Sequence, residues 1–123
     1  MSIDFKTSKG IFLQIADNIC QQILEGKLVA GDRVPSIRDL ASDFEVNRNT
    51  VLRTYAILND AGIIENKRGI GFFVADDAMQ KIQEKEKAEF FKNDLPEFIQ
   101  KVKLLKLTKS DLRELLAVID NNE

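Results

Sequence analysis

Two helix-capping signals that stand close together constrain the fold of this chain more than any other feature. Ser36 can cap a helix of about eight residues, because an aspartate and an apolar stripe at helical spacing follow it. Asn47 can cap a second helix that runs through Ala61 and ends at a glycine. Only the short Glu45-Val46 break separates them. The spacing therefore predicts two helices joined by a tight turn, as in a helix-turn-helix unit.

The second of these helices has an apolar face and a polar N-terminal end. The residues predicted to face the core are Val51, Leu52, Tyr55 and Leu58. The residues left on and around the outward first turn are Arg48, Asn49, Thr50 and Arg53. In helix-turn-helix proteins the N-terminal residues of the second helix enter the major groove of DNA. These four polar side chains are therefore candidates for DNA contact.

The flanking segments complete a small α+β domain. Apolar residues in Ile11–Leu24 recur at intervals of three and four, which predicts an amphipathic first helix. Residues 63–65 and 70–74 are two strand-like runs, and the turn between them carries Lys67 and Arg68. This pattern predicts a hairpin wing with a cationic tip. The fold class expected is a winged helix-turn-helix domain followed by a short all-α tail.

The composition changes near residue 76, which we take as a boundary between domains at 1–75 and 76–123. Residues 78–92 are rich in Lys, Glu and Gln and predict a largely exposed helix, while Asp94 and Thr108 can cap two more. Such a tail is too short to bury its apolar face alone, so a second copy of the chain is the expected partner. The expected dimerisation residues are Met79, Ile82, Phe90, Phe91, Leu95, Phe98, Ile99, Val102 and Leu105.

Several classes of function are disfavoured by residues that the chain lacks. It has no histidine, which removes the commonest general base and most catalytic zinc sites. Its single cysteine, Cys20, cannot form an internal disulfide. The Gly69-x-Gly71 pair lacks the third glycine of a dinucleotide loop, because Val74 stands there. We therefore expect no enzyme, no catalytic residue, no metal and no cofactor.

The apolar runs and the charges bear on location and partners. No run approaches the roughly 20 apolar residues that span a bilayer, and the start lacks a secretion-signal pattern, so we expect a cytoplasmic protein. The formal net charge of −2 does not itself indicate a nucleic-acid partner. However, five of the six arginines lie between residues 33 and 68. Arginine side chains are suited to bind phosphates and guanine edges. From charge alone, a random distribution of these arginines is an equally good explanation.

Several motifs in order resemble the DNA-binding domain of the GntR family of bacterial transcription regulators. They are Pro35-Ser36-Ile37-Arg38-Asp39-Leu40-Ala41, Val46-Asn47-Arg48-Asn49-Thr50-Val51, Leu58-x-x-x-Gly62 and Gly69-x-Gly71-x-Phe73-Val74. The resemblance covers roughly residues 10–75, and the tail is similar to the YtrA-like branch, whose members carry a short helical dimerisation segment. It implies a homodimer that binds a palindromic operator on double-stranded DNA and usually represses, in this branch often transporter genes.

The resemblance also implies which residues contact DNA. The family's contacts correspond to Arg38, Arg48, Thr50 and Gly69, and Asn47 departs from the Ser or Thr usual before the arginine. Phosphate contacts position a protein and base contacts specify the sequence, so we assign Arg38 and Thr50 to phosphates and Arg48 to a base edge. Asn49 and Arg53 are second candidates for a base. The full candidate set is Ser36, Arg38, Asn47, Arg48, Asn49, Thr50, Arg53, Lys67, Arg68 and Gly69.

Two alternatives stay open at this point. The arginines could form surface ion pairs, Arg38 with Asp39 or Asp43 and Arg53 with Asp60. The near-neutral charge of the first 75 residues would also suit a winged-helix module that binds protein and no DNA. The operator, the regulated genes and any small-molecule effector are not readable from the residues.

Overall fold

The computed structural model describes residues 10–122, so residues 1–9 of the predicted first domain and residue 123 of the tail lie outside it. The chain separates into two compact units, one that ends at Lys85 and one that begins at Glu86. The separation falls inside a helix, because Ala78 and Ile82 at the start of that helix belong to the hydrophobic core of the first unit. The boundary near residue 76, as a functional division, stays a prediction.

Three helices of the first unit begin at the predicted caps or close to them. They are α1, Ile11–Leu24, α2, Ile37–Asp43, and α3, Arg48–Asp60. The Ser36 side chain accepts a hydrogen bond from the Asp39 backbone N–H at 3.0 Å. The Asn47 carbonyl Oδ1 accepts from the Thr50 backbone N–H at 2.9 Å. Both predicted caps are confirmed, and each satisfies a donor that the helix itself leaves free.

The core of this unit lies between α1 and α3. Ile15 and Ile19 on α1 are at most 1% exposed, and they pack in one apolar cluster with Val51 and Tyr55 on α3. Leu52 is 49% exposed, so the prediction that it faces the core is wrong. Each helical residue turns the side chain by about 100°, which carries Leu52 away from the face that Val51 shares with Tyr55.

The predicted wing is an antiparallel hairpin with a slightly different register. Its strands are β1, Ile64–Lys67, and β2, Gly71–Val74, and Lys67 pairs with Gly71 as the last pair before the turn. Lys67 was expected in the turn and instead ends β1, whereas Ile70 lies in the turn with 60% of its surface exposed. Gly69 at the tip has a φ of +78°, a left-handed conformation that disfavours side chains with a Cβ.

A third extended segment lies along β2. The Val34 backbone N–H donates to the Phe72 carbonyl oxygen at 2.9 Å, and Arg33 pairs with Phe73. The connection predicted between α1 and α2 therefore forms an isolated antiparallel bridge beside the two-stranded wing. Three helices with a hairpin wing make this unit a winged helix-turn-helix domain.

The second unit is helical, and it begins inside α4, Ala78–Glu89. A π-helical turn, Phe90–Asp94, leads into α5, Leu95–Leu104, and α6 is Arg113–Asn121. The prediction that Asp94 caps a new helix is wrong. Asp94 has helical φ and ψ of −78° and −44° and no capping hydrogen bond, because the backbone runs on through the π turn into α5.

The last predicted cap forms its hydrogen bonds but does not start the helix, because α6 begins at Arg113 and Leu112 directly before it has no side-chain cap. The Asp111 carboxylate accepts from the Thr108 backbone N–H at 2.9 Å, and Thr108 Oγ1 accepts from the Asp111 backbone N–H at 3.2 Å. This reciprocal pair is a capping box that precedes α6. None of the helices within residues 10–122 has the length and apolar character needed to cross a membrane.

Candidate nucleic-acid interface

The start of α3 presents two polar side chains to solvent. Asn47 Oδ1 accepts from the Thr50 backbone N–H at 2.9 Å and from the Thr50 hydroxyl at 3.2 Å, which closes the first turn. Arg48 and Asn49, directly after the cap, are both exposed. Within residues 10–122 neither side chain makes an ion pair or a side-chain hydrogen bond. Their donors therefore face outward at the end of the helix that the fold offers to a DNA groove.

Thr50 has a different environment from its two neighbours. It is half-buried, and its hydroxyl and backbone N–H both donate to Asn47 Oδ1. A hydroxyl has one proton, so Thr50 can donate to a phosphate only if it leaves Asn47. The predicted phosphate contact of Thr50 stays a prediction, and it competes with the cap.

The start of α2 carries two further candidates. Ser36 Oγ is occupied by the Asp39 N–H that it caps, and Arg38 is exposed. The ion pairs of Arg38 with Asp39 or Asp43 that the sequence left open are not formed in the described part of the chain. Arg38 therefore has its full donor set available to an anion.

Tyr55 connects the helix-turn-helix unit to the wing. It is 1% exposed, its hydroxyl donates to the Pro35 carbonyl oxygen just before α2, and its ring meets the edge of Phe72 with centroids 5.0 Å apart. Burial raises the pKa of Tyr55, so the hydroxyl remains a donor at neutral pH. Helical spacing predicted that Tyr55 is buried, but nothing in the sequence indicated its hydrogen-bond partner.

We expect Tyr55→Phe to lower the free energy of unfolding by about 1 kcal/mol, because the ring stays and only the hydrogen bond to Pro35 is lost. Urea denaturation measures the change as a lower midpoint at an unchanged slope. Asn59→Gln, a neutral change at an exposed residue of the same helix, is the control, and it should leave the midpoint near the wild-type value. Equal midpoints for Tyr55→Phe and the wild type would contradict the role of the hydroxyl.

Arg53 lies against the first helix. Its guanidinium carbon is 3.8 Å from the centroid of the Phe12 ring, and the adjacent Thr54 Oγ1 lies 2.7 Å from the Phe12 carbonyl oxygen. No ion pair joins Arg53 to Asp60 in the described residues. Stacking on Phe12 covers one face of the guanidinium and leaves the N–H groups at its edge free to donate. A DNA contact by Arg53 is therefore compatible with this geometry.

The wing tip gathers the remaining candidates. Lys67, Arg68 and Gly69 are consecutive and exposed. The Lys67 ammonium lies 4.7 Å from the centroid of the Phe73 ring, so the ring face attracts its charge. All ten candidate residues thus belong to the first unit, at the starts of α2 and α3 and at the wing tip. Their contact with DNA stays a prediction.

The second unit has an apolar face that is open to solvent. Phe90 and Phe91 are 44% and 57% exposed, and they line a groove of about 660 Å³. The apolar residues of this groove are Phe90, Phe91, Leu95, Phe98, Leu115 and Ile119. None of the residues in α5 or α6 is buried. A monomer rarely leaves such a patch uncovered, so this face is a candidate interface.

The expected dimerisation residues divide between the two units. Ile82 is 3% exposed and Met79 packs beside it, both in the core of the first unit. Four of the others line the groove, and Ile99 and Leu105 are exposed on or after α5. An interface between copies would therefore use the second unit rather than Met79 and Ile82.

Comparison with known proteins identifies relatives of the whole chain. The model of the family "Bacterial regulatory proteins, gntR family" matches residues 12–74. The HTH-type transcriptional regulator YhcF of Bacillus subtilis is 39% identical over 114 residues, 93% of each chain. The HTH-type transcriptional repressor YtrA of the same organism is 36% identical over 84 residues, which are 68% of this chain and 65% of YtrA.

Solved structures agree with these relatives. A GntR-family transcriptional regulator from Bacteroides thetaiotaomicron is 36% identical and superposes with a TM-score of 0.68 over 92% of this chain and 98% of its own. The DNA-binding domain of AraR in complex with its operator ORX1 is 27% identical, with a TM-score of 0.53 over 55% of this chain and 81% of its own. These relatives are transcription regulators and not enzymes. The chain belongs to the GntR family of bacterial transcription regulators, which bind DNA through a winged helix-turn-helix domain.

Proposed function

We propose that this regulator is a repressor that binds a palindromic operator as a homodimer. The observation that carries the proposal is the exposed start of α3, where Arg48 and Asn49 have no partner among residues 10–122. Polar side chains at this end of the second helix are what a helix-turn-helix protein inserts into the major groove. The relative YtrA is a repressor, which supports the same role here.

The exposed cations have separable tasks in this proposal. Arg48 reads a guanine edge with two hydrogen bonds, and Asn49 is suited to an adjacent adenine. Arg38 at α2 holds a backbone phosphate and so sets the register without reading sequence. Lys67 and Arg68 at the wing tip bind the backbone or the minor groove beside the major-groove site.

The apolar groove of the second unit supports the homodimer. A second copy would cover Phe90, Phe91 and Phe98, which are 44%, 57% and 38% exposed. A two-fold dimer presents two recognition helices to half-sites about one helical turn apart, which makes the operator palindromic. A regulator that binds operator DNA acts in the cytoplasm of a bacterium. The resemblance to the YtrA-like branch suggests transporter genes as its targets.

Selection from random duplex DNA at about 150 mM salt tests this function, because specificity distinguishes a regulator from a generally cationic protein. We expect enrichment of an inverted repeat with half-site centres about 10 base pairs apart. A single unpaired half-site would contradict the dimer. No enrichment from a folded, purified chain would contradict operator binding and favour a module that binds protein.

A further inference from the structure

We propose that Arg33 contacts a DNA phosphate together with the wing. Arg33 lies beside the wing in the folded domain, although it is about 30 residues before the wing in the sequence. The proposal rests on the DNA-binding function proposed above. Arg33 precedes the Pro35-Ser36 motif and lies in the connection between α1 and α2, so neither the motif pattern nor the hairpin pattern included it. The fold brings it to the wing.

The backbone of Arg33 is held against β2 on both sides. The Val34 N–H donates to the Phe72 carbonyl oxygen at 2.9 Å, and the Val74 N–H donates to the Asp32 carbonyl oxygen at 2.8 Å. Arg33 itself pairs with Phe73 in antiparallel register. The hydrogen bonds of its two neighbours therefore anchor Arg33 to β2, and Arg33 is not part of a free loop.

The side chain of Arg33 extends toward the tip of the wing. A Cβ built on Gly71 would lie 2.8 Å from Arg33 Nε and 3.1 Å from Nη2, so the guanidinium occupies the space beside the Gly71 backbone. Gly71 has a φ of +145° and pairs with Lys67 in the last pair before the turn. Glycine at 71 thus lets an arginine from the α1–α2 connection reach the end of the hairpin.

The charges around Arg33 favour an anionic partner. Arg33 is exposed and has no carboxylate within ion-pair distance in residues 10–122. Glu65 on β1 pairs with Phe73 in β2, so two strand spacings, about 10 Å, separate its backbone from that of Arg33. Lys67 stands across from Gly71, and Arg68 follows it in the turn. Three cations therefore meet at one end of the sheet.

A guanidinium that already packs on backbone loses less conformational freedom on binding than a free side chain. Its N–H groups match phosphate oxygens, while the wing tip itself is suited to the minor groove. We therefore assign Arg33 to a phosphate at the edge of the groove that the wing enters, with no role in reading bases.

The test compares Arg33→Gln and Arg33→Lys with Arg113→Gln, a matched change at an exposed arginine of α6. Binding to a mixed-sequence duplex of about 40 base pairs is titrated with KCl, because each phosphate contact contributes about 0.9 to the slope of log K against log salt. We expect Arg33→Gln to lower that slope by about two, because each protomer of the dimer loses one phosphate contact, and to weaken binding about fivefold or more. Arg33→Lys and Arg113→Gln should keep the wild-type slope.

Each outcome distinguishes this inference from the proposed function. If the wild type binds with a steep salt dependence and Arg33→Gln shows the same slope, the Arg33 contact is overturned and DNA binding stands. A lower melting temperature for Arg33→Gln with an unchanged slope would give Arg33 a packing role on Gly71 alone and also overturn the contact. If the wild type binds no duplex, both proposals are wrong.

Discussion

Replacing Arg48 with alanine is expected to weaken operator binding by about 1–3 kcal/mol for each half-site and to relax the preference for one base pair in each half-site. Arg48 is the first residue of α3, exposed and without an ion pair in the described residues. Loss of a two-hydrogen-bond contact to guanine removes discrimination as well as affinity, so the mutant should still bind DNA of unrelated sequence.

Arg38→Ala is the matched control for Arg48→Ala. Both side chains are exposed arginines near the start of a helix, but Arg38 is assigned to a phosphate. Arg38→Ala should weaken the operator and an unrelated duplex by the same factor and lower the salt slope by about two, one phosphate contact for each protomer of the dimer. Selection with each mutant and fluorescence titration on both duplexes measure the contrast. If Arg48→Ala lost affinity equally on every sequence, Arg48 would be a phosphate contact and the assigned base reader would be wrong.

Phe98→Asp is expected to produce monomers and to reduce operator affinity at least about a hundredfold. Phe98 is 38% exposed and lines the apolar groove of the second unit. A carboxylate there would be buried without a partner in the dimer, which costs several kcal/mol. A monomer also loses the second half-site, whose binding is intramolecular in the dimer and worth a factor of about 10²–10⁴.

Sedimentation velocity measures the first part of this prediction and operator titration the second. Gln100→Asp is the control, because it places the same charge on α5 about 200° around the helix from Phe98. It should remain a dimer with wild-type affinity. A Phe98→Asp protein that sediments as a dimer would show that the groove is not the interface. A monomer with unchanged operator affinity would contradict the dependence of binding on two half-sites.

Capping residues predicted helix starts well where the cap depends only on neighbouring residues. A cap needs one side chain and a backbone N–H two or three residues later, so Ser36 and Asn47 were identified from short strings. The Thr108 pattern forms its hydrogen bonds too, but in a turn ahead of α6 and not at its start. The cap predicted at Asp94 is not formed. Asp94 and Glu97 have the spacing of a capping pair, but this spacing does not reveal that the backbone before Asp94 is already helical. The π turn that continues the helix has no comparable signature.

The candidate site divides in the same way. The start of α3 and the wing tip are each contiguous in sequence, so spacing and the family motifs identified their residues. The contact of Arg53 with Phe12 and that of Arg33 with Gly71 join distant segments, and no periodicity predicts which distant residues meet. The hydrogen bond from Tyr55 to Pro35 joins residues 20 positions apart and was invisible for the same reason.

By itself, the sequence determined the kind of domain, the starts of α2 and α3 and the exposure of Arg48 and Asn49, because capping, periodicity and turn chemistry act within a few neighbouring residues. Only the tertiary structure decided that Leu52 is exposed, that Ile82 belongs to the first core and that Arg33 lies on the wing. These outcomes depend on which faces and strands pack together. That choice is made by the burial of apolar surface across the whole unit, not by any local stretch of the chain.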